Sequence, residues 1–185
     1  TYRPPLEFRS TNYGVAEDHP AYAARLRNNT IPEDERFGGR TSMRLISHTF
    51  DRWVGDEEYG DEHPEYFALE DGERWLQEGD GMDGTQPCMM NREVRDLVIE
   101  GVLEDLEEHP EWTNISVSQN DNDHYCKCED CMELIEREGT PMGPLLDLVN
   151  EVADVVAEEH PDVQVGTLAY WYSRAPPETM EPRDN

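Results

Sequence analysis

Short runs of apolar and β-branched residues alternate along the chain with longer segments in which apolar residues recur every three or four positions. The first pattern is typical of strands and the second of amphipathic helices. Their alternation indicates consecutive βα units around a parallel sheet, so the sequence predicts an α/β fold. The predicted strands are Leu6–Thr11, Arg44–Thr49, Gln86–Asn91, Asn114–Asn120 and Gln164–Trp171.

Four segments combine helical periodicity with signals for a helix end. Asn91 precedes the clearest one, and its side chain is suited to cap the first backbone N–H groups of a helix. Gly139 follows another, where a glycine can take the left-handed conformation that ends a helix. Asp18 is the expected cap of the weakest. The predicted helices are Pro20–Asn28, Arg92–Glu108, Asp130–Glu138 and Leu145–Glu159.

The two strongest predicted helices end in the same phrase, Glu-Glu-His-Pro, at Glu107–Pro110 and Glu158–Pro161. Each phrase is followed within a few residues by a predicted strand, so it reads as one αβ turn used twice. A histidine near a helix C-terminus interacts favourably with the helix dipole. We therefore expect structural roles for His109 and His160.

The length of 185 residues fits one domain of ordinary size. Two long segments, 30–43 and 51–85, are rich in glycine and acidic residues and follow the first and second predicted strands. Loops of this length are usually functional or disordered. We predict a single domain over residues 1–185 with a long loop insertion at 51–85.

The charge of the chain is strongly one-sided, with 43 acidic against 15 basic residues and a net charge of −28. Such a surface repels nucleic acids and anionic membranes, which excludes both as direct partners. No stretch has the roughly 18 apolar residues of a membrane span. Because Lys127 is the only lysine, we interpret the acidic surface as an adaptation to molar salt, where screening makes self-repulsion tolerable.

The most specific chemical signal is a run of three cysteines, Cys126, Cys128 and Cys131, directly after the fourth predicted strand. Thiols at this spacing can converge on a soft metal such as Zn²⁺. Cys88 lies in the third predicted strand and completes a four-thiolate site if the two strands are neighbours. A disulfide from Cys88 to a loop cysteine, free thiols and a thiol-based redox enzyme remain alternatives.

Two carboxylates, Asp121 and Asp123, follow the fourth predicted strand. Side chains at the carboxyl ends of parallel strands point toward a common cleft, which makes these two residues candidates for catalysis. The alternative is that this Asn-Asp run only shapes a turn or caps a helix.

Aromatic residues and a histidine end two other predicted strands. His48 ends the second, and Tyr170, Trp171 and Tyr172 end the fifth. Aromatic rings stack on the apolar face of a sugar, while its hydroxyls need directed polar partners, so these positions suit a carbohydrate ligand. The phrase His63–Tyr66 adds a further polar and aromatic group within the predicted loop 51–85. Core packing is the alternative role for about half of these residues.

With these residues in hand, the chain resembles the DUF4838 family, which is related to α-glucuronidase and β-hexosaminidase glycoside hydrolases. The matching phrases span about 44–185, and their order is more specific than any one of them; the first 40 residues match less distinctly. They are His63–Leu69 with Asp71 and Gly72, Gln86–Cys88, Asn91–Val94, Ser116–Asp121, the three-cysteine run, Gly143–Leu146, Val149 with Asn150, Tyr170, and Pro176 with Pro177.

The resemblance implies a (β/α)8 TIM barrel with a carbohydrate cleft at its C-terminal face. A complete barrel needs about 250 residues, so this chain would cover about the first five βα units of a partial barrel. Hydrolysis would use Asp121 as general acid, with Asp123 or a group outside the chain as the second catalytic group. The implied sugar contacts are His48, His63, Glu65, Asn91, Asn120, Tyr170 and Tyr172.

Relatives of this kind are often secreted, which favours an extracellular, high-salt location, but an acidic surface suits a salt-filled cytoplasm as well. The alternative to a hydrolase is a non-catalytic carbohydrate-binding or structural domain in which zinc at Cys88, Cys126, Cys128 and Cys131 orders the loop. The two hypotheses differ in one outcome, because only the first predicts turnover of a glycoside.

Overall fold

The structure is a computed structural model that describes residues 9, 11, 13–28, 47–76 and 84–185. The chain divides into two compact units, Thr1–Arg44 and Leu45–Asn185. The first unit contains helices α1 (Gly14–Glu17) and α2 (Pro20–Arg25), the second of which buries Ala23 completely. The prediction of a chain that mixes helices and strands is confirmed.

The second unit carries the other described elements. They are α3 (Phe50–Trp53), α4 (Asp56–Tyr59), a 3-10 turn (Pro64–Tyr66), β1 (Leu69–Glu70), β2 (Glu73–Arg74), α5 (Arg92–Glu108), β3 (Asn114–Ser116), α6 (Glu129–Glu138), α7 (Met142–Glu159), β4 (Gln164–Gly166) and a 3-10 turn (Trp171–Ser173). The four described strands form two small sheets. Strands β1 and β2 make an antiparallel hairpin, and β3 pairs with β4 in parallel.

The parallel pair β3–β4 lies in the fourth and fifth predicted strands, in register from Asn114 opposite Gln164 to Ser116 opposite Gly166. Both strands are shorter than predicted. Helices α6 and α7 connect them along the chain, and α7 packs against α5, α6 and β4. This connection is one βα crossover, and it brings the chain segments that follow β3 and β4 to the same edge of the sheet.

One large core holds this unit together, built from the apolar faces of α5 and α7 and the strand residues beneath them. Burying one such aliphatic side chain contributes about 1.5–3 kcal/mol relative to leaving it exposed. The central members are Val94, Val98, Val102, Leu106, Ile115, Val117, Leu145, Leu148, Val152 and Val156.

The predicted helices agree with the structure in position and differ at some ends. The side-chain oxygen of Asn91 accepts hydrogen bonds from the N–H groups of Glu93 and Val94, so the predicted cap of α5 is confirmed. Gly139 ends α6 with φ of +69°, as predicted. Helix α7 starts at Met142 rather than Leu145, because Pro144 fits within a first helical turn.

The remaining helix ends concern three histidines. His109 and His160 are the C-terminal capping residues of α5 and α7, which confirms their predicted placement. Helix α2 ends at Arg25 rather than Asn28, and its N-terminal capping residue is His19 instead of the predicted Asp18. Within the described part of the chain, no helix has both the length and the apolar character to cross a lipid bilayer.

The third predicted strand, Gln86–Asn91, is not a strand of the sheet. Its backbone makes a single antiparallel bridge, between Pro87 and Phe67. A proline has no N–H to give to a ladder, which explains why pairing stops there. Around the bridge, the N–H of Ala68 donates to Gln86 O (2.9 Å) and the N–H of Cys88 donates to Tyr66 O (2.7 Å).

The second predicted strand lies beside β3 without forming a regular ladder. Its described part, 47–49, uses the hydroxyl of Thr49, which donates to Ser116 O and accepts from the N–H of Ser118, both at 3.0 Å. Residues 44–46, the segment 30–43 and most of the first predicted strand lie outside the described residues. The predicted loop 51–85 contains α3, α4 and the β1–β2 hairpin in its described part.

Candidate functional site

Four side chains meet at the edge of the sheet that follows β3 and β4. Asp121 comes after β3, and Tyr170 and Trp171 come after β4. The indole N–H of Trp171 donates to Asp121 Oδ1 (3.3 Å), and His48 Nε2 lies 3.8 Å from the same oxygen. The ring centroids of His48 and Tyr170 are 5.6 Å apart. We call these four residues the Asp121 cluster.

The aromatic side of the Asp121 cluster is open to solvent. Tyr170 is 40% exposed and Trp171 is 49% exposed, and their rings meet edge to face with centroids 5.6 Å apart. Exposed aromatic side chains grouped in this way mark binding surfaces more often than isolated ones do. Asp121 has a side chain that is 37% exposed, so a ligand resting on the rings can reach its carboxylate.

The backbone of Trp171 is strained, because its φ of +50° lies in the left-handed region that bulky residues avoid. A hydrogen-bonded turn holds it there. The N–H of Tyr170 donates to Ser173 Oγ (3.1 Å), and the N–H of Ser173 donates to Tyr170 O (3.0 Å). The Ser173 hydroxyl is buried and also donates to the side chain of Gln119. Strain fixed by buried partners is typical of functional sites.

The orientation of His48 follows from its buried nitrogen. Its Nδ1 lies 2.6 Å from the carbonyl oxygen of Gln119, and a carbonyl can only accept, so Nδ1 carries the proton. The other ring nitrogen, Nε2, is then the atom that faces Asp121. The His48 side chain is 13% exposed, which leaves this one edge for contact with a ligand.

A buried amide network positions the loop that carries Asp121. Asn120 is fully buried, its side chain donates to Thr85 O (2.9 Å) and accepts from the N–H of Asp51 (3.2 Å). The side chain of Asn122 donates to Gly84 O (3.0 Å). Asn120, a predicted sugar contact, therefore lies behind the surface in this structure, where its side chain shapes the loop.

Two other predicted site residues lie apart from the aromatic face of the Asp121 cluster. Asp123 is exposed further along the same loop. Tyr172 packs against Tyr125, with ring centroids 5.4 Å apart, and its buried hydroxyl has no hydrogen-bond partner. Burial raises the pKa of Tyr172. Tyr172 lines a cavity together with Cys126 and Cys131, so it belongs to the cysteine side of the loop.

The predicted sugar contacts His63, Glu65 and Asn91 meet near the start of α5. His63 stacks on Tyr66, with centroids 4.5 Å apart, and its Nδ1 lies 3.1 Å from Glu65 Oε1. The side-chain amide of Asn91 donates to Glu65 O (3.4 Å) while its oxygen caps α5. His63 and Glu65 also share a potential ligand group with Glu93, but exposed acidic groups of this kind are common without a metal.

The four cysteines of the chain come together in a second cluster. Their sulfurs all lie within 4.8 Å of one another, and every one is a free thiol. Cys88 Sγ is 3.7 Å from Cys128 Sγ and 4.0 Å from Cys131 Sγ. Cys128 is half-buried and the other three, including Cys126, are buried. We call these four residues the cysteine cluster.

The thiols of the cysteine cluster influence one another's ionisation. Hydrogen bonds from Cys131 and Cys88 lower the pKa of Cys126 far below its ordinary value, because they stabilise its thiolate. The hydrogen bond with Cys126 raises the pKa of Cys131, and that of Cys88 is raised to about 12 with the same leading cause. One thiolate is thus stabilised by protonated neighbours.

The β1–β2 hairpin holds the cysteine-bearing loop from the side. The N–H of Leu69 donates to Cys126 Sγ (3.4 Å), and the N–H of Lys127 donates to Leu69 O (2.7 Å). Glu70 accepts from His124 Nδ1 at 2.7 Å and pairs with Lys127 Nζ at 3.2 Å. Burial alone would raise the pKa of Glu70, but the hydrogen bonds from His124 and Lys127 lower it below its ordinary value.

Several residues that position these clusters carry no signal in the sequence. The amide of Gln86 joins two distant segments, Ser173 fixes the turn at Trp171, and Asn122 braces the loop. Each is a polar residue in a chain rich in polar residues, and only its burial gives it importance. No pattern in the sequence marks Gln86, Ser173 or Asn122 as such a residue.

Comparison with known proteins gives a family and no assigned activity. The family model described as "Domain of unknown function (DUF4838)" matches residues 1–185. Searches among curated proteins and among solved structures give no match. Because the family match spans the whole chain, this protein belongs to the DUF4838 family.

Proposed function

We propose that the Asp121 cluster is a carbohydrate-binding site at the C-terminal edge of a partial (β/α)8 barrel, and that Asp121 is the general acid of a glycoside hydrolase. The observation that carries this proposal is the strained and exposed Trp171, whose indole N–H donates to Asp121 Oδ1 at 3.3 Å. Backbone strain that is held in place by buried partners supports a functional role for the ring that it positions.

The chemistry of the cluster matches a sugar. Tyr170 and Trp171 offer exposed ring faces, on which the C–H face of a pyranose can stack. Asp121 and His48 Nε2 offer polar atoms at the edge of these rings, where they can meet ring hydroxyls. A ligand that is apolar on one face and polar along its rim uses both sets of groups at once.

Asp121 can reach the leaving oxygen of a bound glycoside because its side chain is partly exposed, and the hydrogen bond from Trp171 fixes its orientation. Trp171 engages Oδ1, which leaves the second oxygen to carry the proton toward the leaving oxygen of a glycoside. Hydrolysis also needs a second group to act at the anomeric carbon or on water. Within the described residues the Asp121 cluster holds one carboxylate, so the second role falls to Asp123 or to a group beyond the described residues.

The proposed barrel rests on one observed unit. Strands β3 and β4 are parallel neighbours joined by α6 and α7, and the site lies where the chain leaves both strands. This is the edge at which barrel enzymes carry their sites. We propose that the protein acts in concentrated salt, with neither nucleic acid nor membrane as a partner of its acidic surface.

A second candidate function is carbohydrate binding without turnover. The observation that favours it is the single carboxylate of the Asp121 cluster, because binding needs no second catalytic group. Both functions use the same aromatic rings, so loss of binding on removal of Trp171 is expected for either. Only turnover distinguishes them.

The test measures release of aglycone from a panel of aryl glycosides, including uronides and N-acetylhexosaminides, by the protein in its full natural length in concentrated KCl. We expect the Asp121→Asn variant to lose turnover by about 100-fold or more, as for removal of a general acid. The matched control is Asp162→Asn, an exposed carboxylate in the turn between α7 and β4. The Asp123→Asn variant asks whether Asp123 is the second group.

Three outcomes separate the hypotheses. Turnover that depends on Asp121 and survives in Asp162→Asn supports the hydrolase. Binding of sugars without turnover, measured by calorimetry and lost in Trp171→Ala, supports the binding domain instead. A folded protein that neither binds nor hydrolyses any member of the panel would refute both.

A further inference from the structure

We infer that the cysteine cluster, Cys88, Cys126, Cys128 and Cys131, binds one Zn²⁺ ion with four thiolates, in a closed site that ties three chain segments together. This inference does not rest on the proposed carbohydrate function. Its basis is the convergence of all four cysteines of the chain within 4.8 Å, which unites Cys88 with a loop and a helix far from it along the sequence.

The distances between the sulfurs match those around a single tetrahedral ion. A zinc–sulfur bond of about 2.3 Å separates the sulfurs of a regular tetrahedron by about 3.8 Å. The observed separations from Cys88 to Cys128 and to Cys131 are 3.7 Å and 4.0 Å. A small contraction of the remaining separations, all below 4.8 Å, completes the geometry.

The alternatives to one ion fit the number or the spacing of the four sulfurs less well. A disulfide joins two sulfurs at about 2.05 Å and leaves the other two as buried thiols with no reason to be near it. An iron–sulfur cluster places sulfide between its iron atoms and holds its cysteine sulfurs farther apart than a single ion does. Four soft ligands in a tetrahedron favour zinc, which needs no redox partner.

The surroundings of the cysteine cluster compensate thiolate charge. The backbone N–H of Leu69 donates to Cys126 Sγ at 3.4 Å, in the manner of the outer hydrogen bonds that support metal ligands. Helix α6 begins directly after Cys128, so the positive end of its dipole lies beside Cys128 and Cys131. The only lysine of the chain, Lys127, lies between Cys126 and Cys128 in the sequence, and its Nζ pairs with Glu70 at 3.2 Å, which ties this loop to the β1–β2 hairpin.

Binding of Zn²⁺ releases protons from the cysteine thiols. Four Zn–S bonds form, and every proton still held by a sulfur is released to solvent, so the chain gains the ion without oxidation or reduction. Because four thiolates fill the tetrahedron, no position remains for water or substrate, and the site is structural. It joins the segment at Cys88, the loop after β3 and the start of α6.

Metal analysis of the purified full-length protein, kept under a thiol reductant, tests the site directly. We expect one zinc per chain, and Co²⁺ added to the metal-free protein should give the intense absorption of tetrahedral cobalt–thiolate coordination. Replacing one ligand in Cys126→Ser should weaken zinc binding by at least about 100-fold, since even outer-shell changes cost up to that factor. The Met132→Leu variant removes a neighbouring sulfur outside the cluster and should keep its zinc.

If Cys126→Ser does not fold, the cobalt titration of the unaltered chain still decides the matter. A second measurement is amide exchange across 120–131, which should accelerate when zinc is removed by a chelator and recover when zinc alone is returned. Four accessible thiols that take up neither cobalt nor zinc, a disulfide detected by mass, or stoichiometric iron in place of zinc would each overturn the inference.

Discussion

The side-chain amide of Gln86 pairs with the backbone of Asn120 in the way that a neighbouring strand would. Its Oε1 accepts from the N–H of Asn120 (3.1 Å) and its Nε2 donates to Asn120 O (2.8 Å), so one side chain satisfies both backbone groups. The same Nε2 donates to Asn122 Oδ1 (3.0 Å). Gln86 and Asn120 are fully buried, and water cannot replace these bonds. The loop that carries Asp121 therefore depends on one distant glutamine.

The Gln86→Glu variant should be less stable and should loosen this loop. Glutamate keeps the shape and can still accept, but it cannot donate to Asn120 O and Asn122 Oδ1, and it adds a buried charge. Asn120 O and Asn122 Oδ1 each keep one other donor, the N–H of Asn122 and the N–H of His124. The main cost is therefore the buried carboxylate oxygen that has no donor, about 1–3 kcal/mol or more for a charged group. Urea unfolding measures the total, and amide exchange at 120–124 measures the local effect. Gln164→Glu makes the same change at an exposed position and should stay within about 0.5 kcal/mol of the natural chain. Equal stabilities of the two variants would contradict the role of Gln86.

The side chain of Trp171 should contribute more to ligand binding than to the free energy of unfolding. Glycine tolerates the φ of +50° without strain, and relief of such strain is worth about 1–3 kcal/mol. Because about half of the ring is exposed, its removal costs less packing than removal of a buried indole would. We expect Trp171→Gly to unfold at an equal or higher urea concentration and to lose measurable sugar binding. Tyr22→Ala removes another exposed aromatic ring and should leave binding unchanged. A Trp171→Gly protein that is strongly destabilised would show that the ring serves packing.

Local signals in the sequence were sufficient for the longer helices, but they missed the one-turn helices α1, α3 and α4 and were insufficient for the site. The start of α5 could be predicted because Asn91 and the apolar positions that follow act within one helical turn. The turn at Trp171 could not, because Ser173 and the distant Gln119 impose it. The position of Cys88 could be predicted only in part. Its sulfur does reach the loop cysteines, but through antiparallel contacts with Tyr66 rather than through the predicted parallel strand.

Glu138 should give the protein a pH-dependent anchor for its C-terminal segment. Its carboxylate is buried and accepts from the N–H groups of Thr179 and Met180, both at 3.0 Å. The hydrogen bond from Thr179 lowers the pKa of Glu138 to about 2, although burial acts in the opposite direction. An unfolded glutamate has a pKa of about 4.3. The stabilisation is therefore fully present above about pH 4.3 and is lost as the pH falls toward 2.

The Glu138→Gln variant isolates this effect. It should be less stable than the natural chain at pH 7, and the difference between the two should shrink as the pH falls from about 4.3 toward 2. Thermal unfolding of both proteins at a series of pH values gives the difference in their stability. The other carboxylates are the same in both proteins, so their contribution cancels in this difference. Glu136→Gln, an exposed change on the same helix, should follow the natural chain throughout. A difference that does not change with pH would exclude the proposed titration.

The acidic surface should make the fold dependent on salt. At a net charge of −28, carboxylates repel one another over a screening length of about 3 Å in 1 M salt and about 30 Å in 0.01 M salt. We expect helical circular dichroism to fall when KCl is diluted well below molar concentrations and to return when it is restored. Replacing KCl with sucrose at equal osmotic strength is the control, because sucrose does not screen charge. Full helicity in dilute buffer would contradict an adaptation to salt.

Replacement of Gly101 by alanine should destabilise the protein, although this glycine lies in the middle of helix α5. A Cβ at this position would lie 2.3 Å from Cδ1 and 2.8 Å from Cγ of Trp53, whose indole N–H donates to Asp105 Oδ2 at 3.1 Å. Alanine favours a helix over glycine by about 1 kcal/mol. Displacing a packed ring costs about 1–3 kcal/mol, so Gly101→Ala should be destabilising on balance.

A double-mutant cycle with Trp53 tests this reason. With the indole removed in Trp53→Ala, the same Gly101→Ala change should become stabilising, because only its helix preference remains. Urea unfolding of the four proteins gives the coupling free energy. Glu104→Ala, at an exposed position of α5, controls for the effect of alanine itself. If Gly101→Ala has the same effect with and without Trp53, the glycine is not required by the approach of α3, and its place in α5 needs a different cause.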